Sequence, residues 1–124
     1  MVNSMAYSIP GITKDYLAEH IALLVPGESA DEIVDQIARC LNVAPEDIKS
    51  KKKKDIYVFP RHISRFVMYH KLKMTQEVIA QYFSNPTHVS TLHSLRICEE
   101  AWENNSFVSA YNMPFKKLIV SCLD

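Results

Sequence analysis

Glycine occurs only twice in these 124 residues, at Gly11 and Gly27. Chains with many tight turns need residues that take positive φ cheaply, and glycine is the main supplier. A fold of many short strands does not suit this composition. Helical spacing of apolar residues recurs instead. The stretch ITKDYLAEHIALLV (12–25) shows it and stops at Pro26-Gly27. In SADEIVDQIARCLNV, Ser29 and Glu32 have the spacing of a capping box, in which each side chain satisfies a free backbone N–H. Ile33, Val34, Ile37, Ala38 and Leu41 then share one helix face. APEDIKS reads as a capped turn that carries Ile48 inward.

SKKKKDIYVF (50–59) reads as a basic loop, extended near Ile56 to Val58. Pro60 is expected to open the next helix, where its missing N–H is not needed. From there to about Lys73, Ile63, Phe66, Val67 and Met74 share a face with His70. Arg61, Arg65, Met68 and Leu72 lie opposite, and a helix apolar on two sides belongs at the centre of its domain. TQEVIAQYF (75–83) is a short helix with Thr75 as N-cap. Ser84-Asn85-Pro86 is a tight turn, and a further helix is expected from Pro86 to Glu103. Two helices joined by such a turn give a helix-turn-helix outline. A short final helix is expected after Pro114.

The apolar share of 48% is that of a globular protein. No apolar run approaches the roughly 18–20 residues that span a bilayer. The first residues, MVNSMAYSIPG, lack the basic start and apolar core of a secretory signal. A cytoplasmic location is expected, with Cys40, Cys98 and Cys122 as reduced, small core residues. The net charge of zero hides a strong polarisation. Residues 1–47 carry net −6, residues 48–76 net +8 and residues 77–124 net −2. A positive field of this kind attracts polyanions.

Catalysis finds little support. Neither glycine is followed by Lys as a phosphate-binding loop requires, and G-x-S-x-G and H-E-x-x-H are absent. His88 and His93 are five residues apart, so they leave a helix on different sides and cannot pair as i, i+4 metal ligands. No enzyme activity, cofactor, metal or small-molecule substrate is expected.

The run Lys51-Lys52-Lys53-Lys54 continues into Arg61 and Arg65 with Tyr57 and Phe59 between. A flexible basic loop beside a basic helix suits a phosphate backbone. On a helix from Pro86, the angular positions of Thr87, Ser90, Thr91 and Ser94 fall within about 100° of one another. Leu92, Leu95 and Trp102 fall on another side, toward the core, with Cys98 at its border and His88 on the Leu92 side. One reading is a capped surface helix with His88 half-buried. The other is a recognition helix, whose first residues reach base edges in the major groove.

Residues about 31–103 resemble the C-terminal DNA-binding domain of the bacterial replication initiator DnaA. The stretches SKKKKDIYVFPRH and THVSTLHS carry the resemblance. Ser50, Lys51, Pro60, Arg61, Ile79, Phe83, His88, Leu92 and His93 match the family pattern. Lys52 and Lys53 stand for arginines. Thr87 stands for Asp, Val89 for Thr, Asp55 for Arg and Pro86 for Arg. The resemblance implies Lys53 at the minor groove, Arg61 at a phosphate, and His88 and Ser90 near base edges. Lys51, Lys52, Lys54, Arg65, Thr75, Gln76, Asn85, Thr87, Thr91, His93 and Ser94 complete the expected DNA-binding set. The ATPase domain of the family is absent from this chain.

The expectation is an all-α compact helical domain with a helix-turn-helix and a basic loop. It is read as one domain over 1–124: an added helical segment (1–27) for packing, self-association or a protein partner, a core (28–104) and a helical tail (105–124). Its expected function is sequence-specific binding of double-stranded DNA in control of replication or transcription, with no membrane contact. The alternative is a protein–protein interaction module that keeps the fold without binding DNA.

Overall fold

The computed structural model describes residues 29–123. The segment 1–27, with its expected helix over 12–25, lies outside the described residues. Helix α1 (Ala30–Leu41) opens on the capping box foreseen for it. The Glu32 N–H donates to Ser29 Oγ at 3.2 Å, and the Ser29 N–H to Glu32 Oε1 at 3.1 Å. Ile33, Val34, Ile37, Ala38 and Leu41 are all buried, as the spacing requires. Helix α2 (Pro45–Lys49) is one short turn whose Ile48 is fully buried.

Helix α3 (Asp55–Leu72) starts earlier than the sequence suggested. Ile56 to Val58 are helical rather than extended, and Pro60 lies inside the helix instead of opening it. A proline at this point removes the bond its N–H would give to the Ile56 carbonyl, and its ring crowds that carbonyl. Packing offsets that loss: Phe59 lies 5.8 Å from the Tyr111 ring and 6.2 Å, edge-on, from Phe115. The turn before Pro60 is therefore held from the side by aromatic contact. Further along, Ile63, Phe66, Val67 and Met68 are all fully buried. Helix α3 is the central strut, covered on both faces.

Helix α4 (Gln76–Tyr82) is capped by Thr75, whose Oγ1 accepts the Val78 N–H at 3.2 Å. Its Tyr82 hydroxyl donates to Asp31 Oδ1 at 2.5 Å and fastens α4 to α1. The link to helix α5 (Val89–Asn104) runs through residues 83–88 and is longer than expected. Ser84 takes φ 57°, and the Asn85 N–H donates to the Ala80 carbonyl at 2.8 Å. Pro86 sits in this link, not in the helix. The first turn is set by His88 as N-cap, with the Val89 N–H donating to Thr87 Oγ1 at 3.3 Å.

A two-stranded antiparallel hairpin follows, β1 (Phe107–Val108) with β2 (Met113–Pro114), pairing Phe107 with Pro114. Strands this short leave no periodic trace in sequence. Helix α6 (Phe115–Leu123) closes the core with Phe115, Leu118, Ile119 and Cys122. Cys98 and Cys122 are buried free thiols, but Cys40 is exposed, contrary to its expected place in the core. It sits on α1 away from the stripe set by Ile33, Ile37 and Leu41. Among the described residues, no helix is long and apolar enough to cross a membrane.

Candidate nucleic-acid interface

The basic loop, residues 50–54, is tied down from below. The Ser50 hydroxyl donates to the Asp47 carbonyl at 2.7 Å and accepts the Lys52 N–H at 3.1 Å. Arg61 then gathers three backbone oxygens. Its Nε donates to Ile48 O at 2.6 Å, Nη1 to Lys52 O at 3.1 Å and Nη2 to Asp47 O at 3.1 Å. Only a planar guanidinium has donors in the fork that three such carbonyls need. Arg61 is buried, which pushes its pKa down.

The four lysines have different duties. Lys51 donates to the carbonyls of Phe83 at 3.3 Å and Ser84 at 2.9 Å, joining the loop to the link between α4 and α5. Lys52 pairs with Asp47 at 2.6 Å and lies 5.0 Å from the Tyr57 ring centre. Among the described residues, the Lys53 and Lys54 side chains have no ion pair or hydrogen bond, and both are exposed.

Between α3 and α5 lies a buried polar junction. Arg65 donates from Nη1 to Ser94 Oγ at 2.9 Å and from Nη2 to Asn85 Oδ1 at 3.1 Å. Its guanidinium carbon stands 4.8 Å from the Phe83 ring centre, a cation–π contact. Burial, with Arg61 nearby, pushes the Arg65 pKa down to about 10. His62 Nδ1 lies 2.6 Å from the same Ser94 Oγ. Burial, then the positive charge of Arg65 and the neighbouring His93 and Arg61, push the His62 pKa down to about 4. A neutral imidazole takes the Ser94 O–H at Nδ1 while Arg65 donates to the Ser94 oxygen, so one hydroxyl serves both partners.

This junction corrects the expected hydroxyl face. Thr91 and Ser94 are fully buried, and Ser94 faces Arg65 and His62 on α3. At about 100° per residue, Thr91 falls on the axis defined by Leu95, Cys98 and Trp102, which are all buried, and Ser94 falls to one side of it. Leu92, used in the sequence to fix the core side, is only half-buried and lies off that axis. Arg61 and Arg65 likewise spend their donors inside the protein.

The outer face of α5 is the stripe Val89, His93, Arg96 and Glu100, all exposed. His88, half-buried only under the capped-surface-helix reading, is exposed, and its Nδ1 stands 3.9 Å from Glu77 Oε2. Thr75 and Thr87 are exposed, and Gln76, Asn85 and Ser90 are half-buried. A cleft of about 260 Å³ separates the start of α5 from the basic loop. Lys51, Lys53, Arg61, Arg65, Ser90 and His93 line it. The structure therefore gathers seven of the fifteen expected residues, Lys51, Lys53, Arg61, Arg65, Asn85, Ser90 and His93, round one cationic cleft. His62, Glu77 and Val89 also belong to this region and were not expected there. Position 62 carried a signal, being three residues before Arg65 and so beside it on the helix. Val89 carried one through its place in the family's signature stretch, whereas nothing in the spacing set Glu77 apart. No group of three or more His, Cys, Asp or Glu side chains among the described residues could hold a metal ion.

A central helix, a two-helix unit packed across it and a basic loop pinned to their junction define a helix-turn-helix domain. The family model described as the bacterial dnaA protein helix-turn-helix matches residues 30–97. The chain belongs to that family. It is similar to the chromosomal replication initiator protein DnaA of Sulfurimonas denitrificans, 30% identical over 94 residues, covering 76% of this chain and 21% of the relative. The same protein of Campylobacter jejuni is 25% identical over 99 residues, 80% of this chain and 22% of the relative. That of Campylobacter curvus is 28% identical over 91 residues, covering 73% and 21%. The chain spans about a fifth of the length of these relatives. No solved structure matches it.

Proposed function

We propose that this domain binds double-stranded DNA in a sequence-dependent way and acts in the control of replication. Membership in the DnaA helix-turn-helix family supports DNA binding as the activity. The single observation that carries the reading here is the division of labour in the basic segment. Arg61, Lys51 and Lys52 are spent on holding the loop, while Lys53, which lines the cleft at the start of α5, and Lys54 are exposed and have no ion pair or hydrogen bond among the described residues. A loop so braced offers its free ammonium groups to a phosphate backbone at little further entropic cost. The exposed residues His88, Val89 and His93 then lie where the first turns of a helix meet base edges.

Phosphate contacts position such a domain, and base contacts give it preference. Lys53 and Lys54 supply the first, with Thr75, Gln76 and Thr87 at the edges of the same surface. His88, Ser90 and His93 supply the second. Arg61, Arg65, Asn85, Thr91 and Ser94 act from behind, by fixing the loop and α5 relative to each other.

Titration of the chain against random and selected duplexes at low salt tests this. Binding that weakens steeply with salt is the expected result. Absence of binding at low salt rejects it and leaves a protein-interaction module as the reading of the fold.

A further inference from the structure

Two of the three cysteines meet where the first and last described helices join. Cys40 lies in the last turn of α1 and Cys122 in the last turn of α6. Gln36, one turn before Cys40 and on the same side of α1, donates from Nε2 to the Cys122 carbonyl at 3.5 Å. The Cys122 thiol is hydrogen-bonded to that of Cys40. Burial, then this bond, pushes the Cys122 pKa up. Tyr111 stands beside the pair: burial first, then Cys122 and Cys40, push its pKa up. Tyr111 in turn packs on Phe59, the contact that holds the turn before Pro60.

The two sulfurs differ in access. Cys40 is exposed among the described residues, and Cys122 is buried. An accessible thiol with a second thiol at hydrogen-bond reach is the arrangement of an attacking and a resolving cysteine. From this geometry we infer that Cys40 and Cys122 form a reversible disulfide that fastens α6 to α1, with a low-molecular-weight disulfide, RSSR, as oxidant. The Cys40 thiolate attacks one sulfur of RSSR, which gives a Cys40–S–S–R mixed disulfide and releases one thiolate of R. Cys122 then loses its proton, and its sulfur attacks that of Cys40 and expels the second thiolate. The two protons from the cysteines end on the two released thiols. Two cysteines are oxidised to one disulfide, and RSSR is reduced to two RSH. Once Cys40 carries R it cannot ionise, so its charge no longer opposes ionisation of Cys122. The bridge closes the long loop from residue 40 to residue 122, which holds most of the described fold, and a long loop gains most from closure. The inference is independent of DNA binding.

The test equilibrates the full chain with reduced and oxidised glutathione at a series of ratios, in buffer and in denaturing urea. Each mixture is quenched with acid and mapped by mass spectrometry. A linked Cys40–Cys122 peptide is expected, with the fully buried Cys98 left as a thiol. Its equilibrium constant should be at least about ten-fold greater in buffer than in urea, because the fold holds the two sulfurs together. The oxidised wild type should unfold on the order of 10 °C above the reduced protein. Cys40→Ser, a change at an exposed position, should give neither the linked peptide nor the shift. Glutathione on Cys40 with no internal bridge at any ratio overturns the inference. So does a Cys40–Cys40 dimer in place of the bridge, or a bridge that closes equally well in urea.

Discussion

Arg65 on α3 donates to Ser94 Oγ on α5 across 2.9 Å, in a site from which water is largely excluded. The bond sets the angle and register of α5 against the central helix. Removing one partner of a buried charge-assisted pair leaves the other unsatisfied, which costs more than the pair was worth. Ser94→Ala should therefore destabilise the fold by about 1–3 kcal/mol. Urea unfolding checks the value. Arg65→Lys should not restore the wild type, because an ammonium cannot reach Ser94 and Asn85 in one plane.

His62 gives the junction a pH dependence. Its folded pKa of about 4 lies below the ordinary imidazole value of 6.5. The unfolded chain therefore takes up a proton that the folded chain resists as pH falls between those values. Stability from this group is complete above about pH 6.5 and is lost progressively toward pH 4. Protonation also costs Nδ1 its role as acceptor from Ser94. Unfolding midpoints measured across this window should fall with acidification, and His62→Gln should flatten the profile.

Much of the scaffold was legible in the sequence because it obeys local rules. The Ser29–Glu32 capping box, the α1 stripe, the Thr75 cap and buried Ile48 all follow from spacing and side-chain chemistry. The start of α3 was not legible. Pro60 is a strong helix-start signal, and only aromatic packing of Phe59 on Tyr111 and Phe115, distant in sequence, overrides it. The hydroxyls of α5 were misjudged for a related reason. Small polar residues read as surface, but Thr91 is fully buried and Ser94 meets a buried arginine and histidine that sequence alone does not place opposite it. For the candidate interface, the basic segment was visible as charge. Which of its cations are free depends on backbone carbonyls, and those have no sequence signal.

The C-cap of α3 offers a simple gain in stability. Lys73 takes φ 59° and ψ 29°, and its N–H donates to the Met68 carbonyl. The left-handed region costs a residue with a Cβ about 1 kcal/mol, and glycine occupies it freely. Part of the gain is offset by the greater freedom of glycine in the unfolded chain. Lys73→Gly should raise stability by about 0.5–1 kcal/mol, seen as a higher denaturation midpoint. Lys73→Ala should not.

Salt dependence separates the cations that touch DNA from those that hold the loop. Each neutralised phosphate contributes about −0.9 to the slope of log affinity against log salt. Among the described residues Lys53 has no partner, so Lys53→Ala should reduce the steepness of that slope by about one contact and leave stability within about 0.5 kcal/mol of the wild type. Arg61 donates to the Ile48, Lys52 and Asp47 carbonyls. Arg61→Ala removes the side-chain donor from the Ile48 and Lys52 oxygens and one of several from Asp47, and should cost about 2–4 kcal/mol of stability. Its effect on affinity should come through a loosened loop. At temperatures where the variant stays folded, the slope per contact should hold while the whole line drops. Anisotropy titrations at four or five salt concentrations, paired with unfolding curves, distinguish the two. An Arg61 variant of wild-type stability with a shallower slope would make Arg61 a phosphate contact rather than the brace behind Lys53.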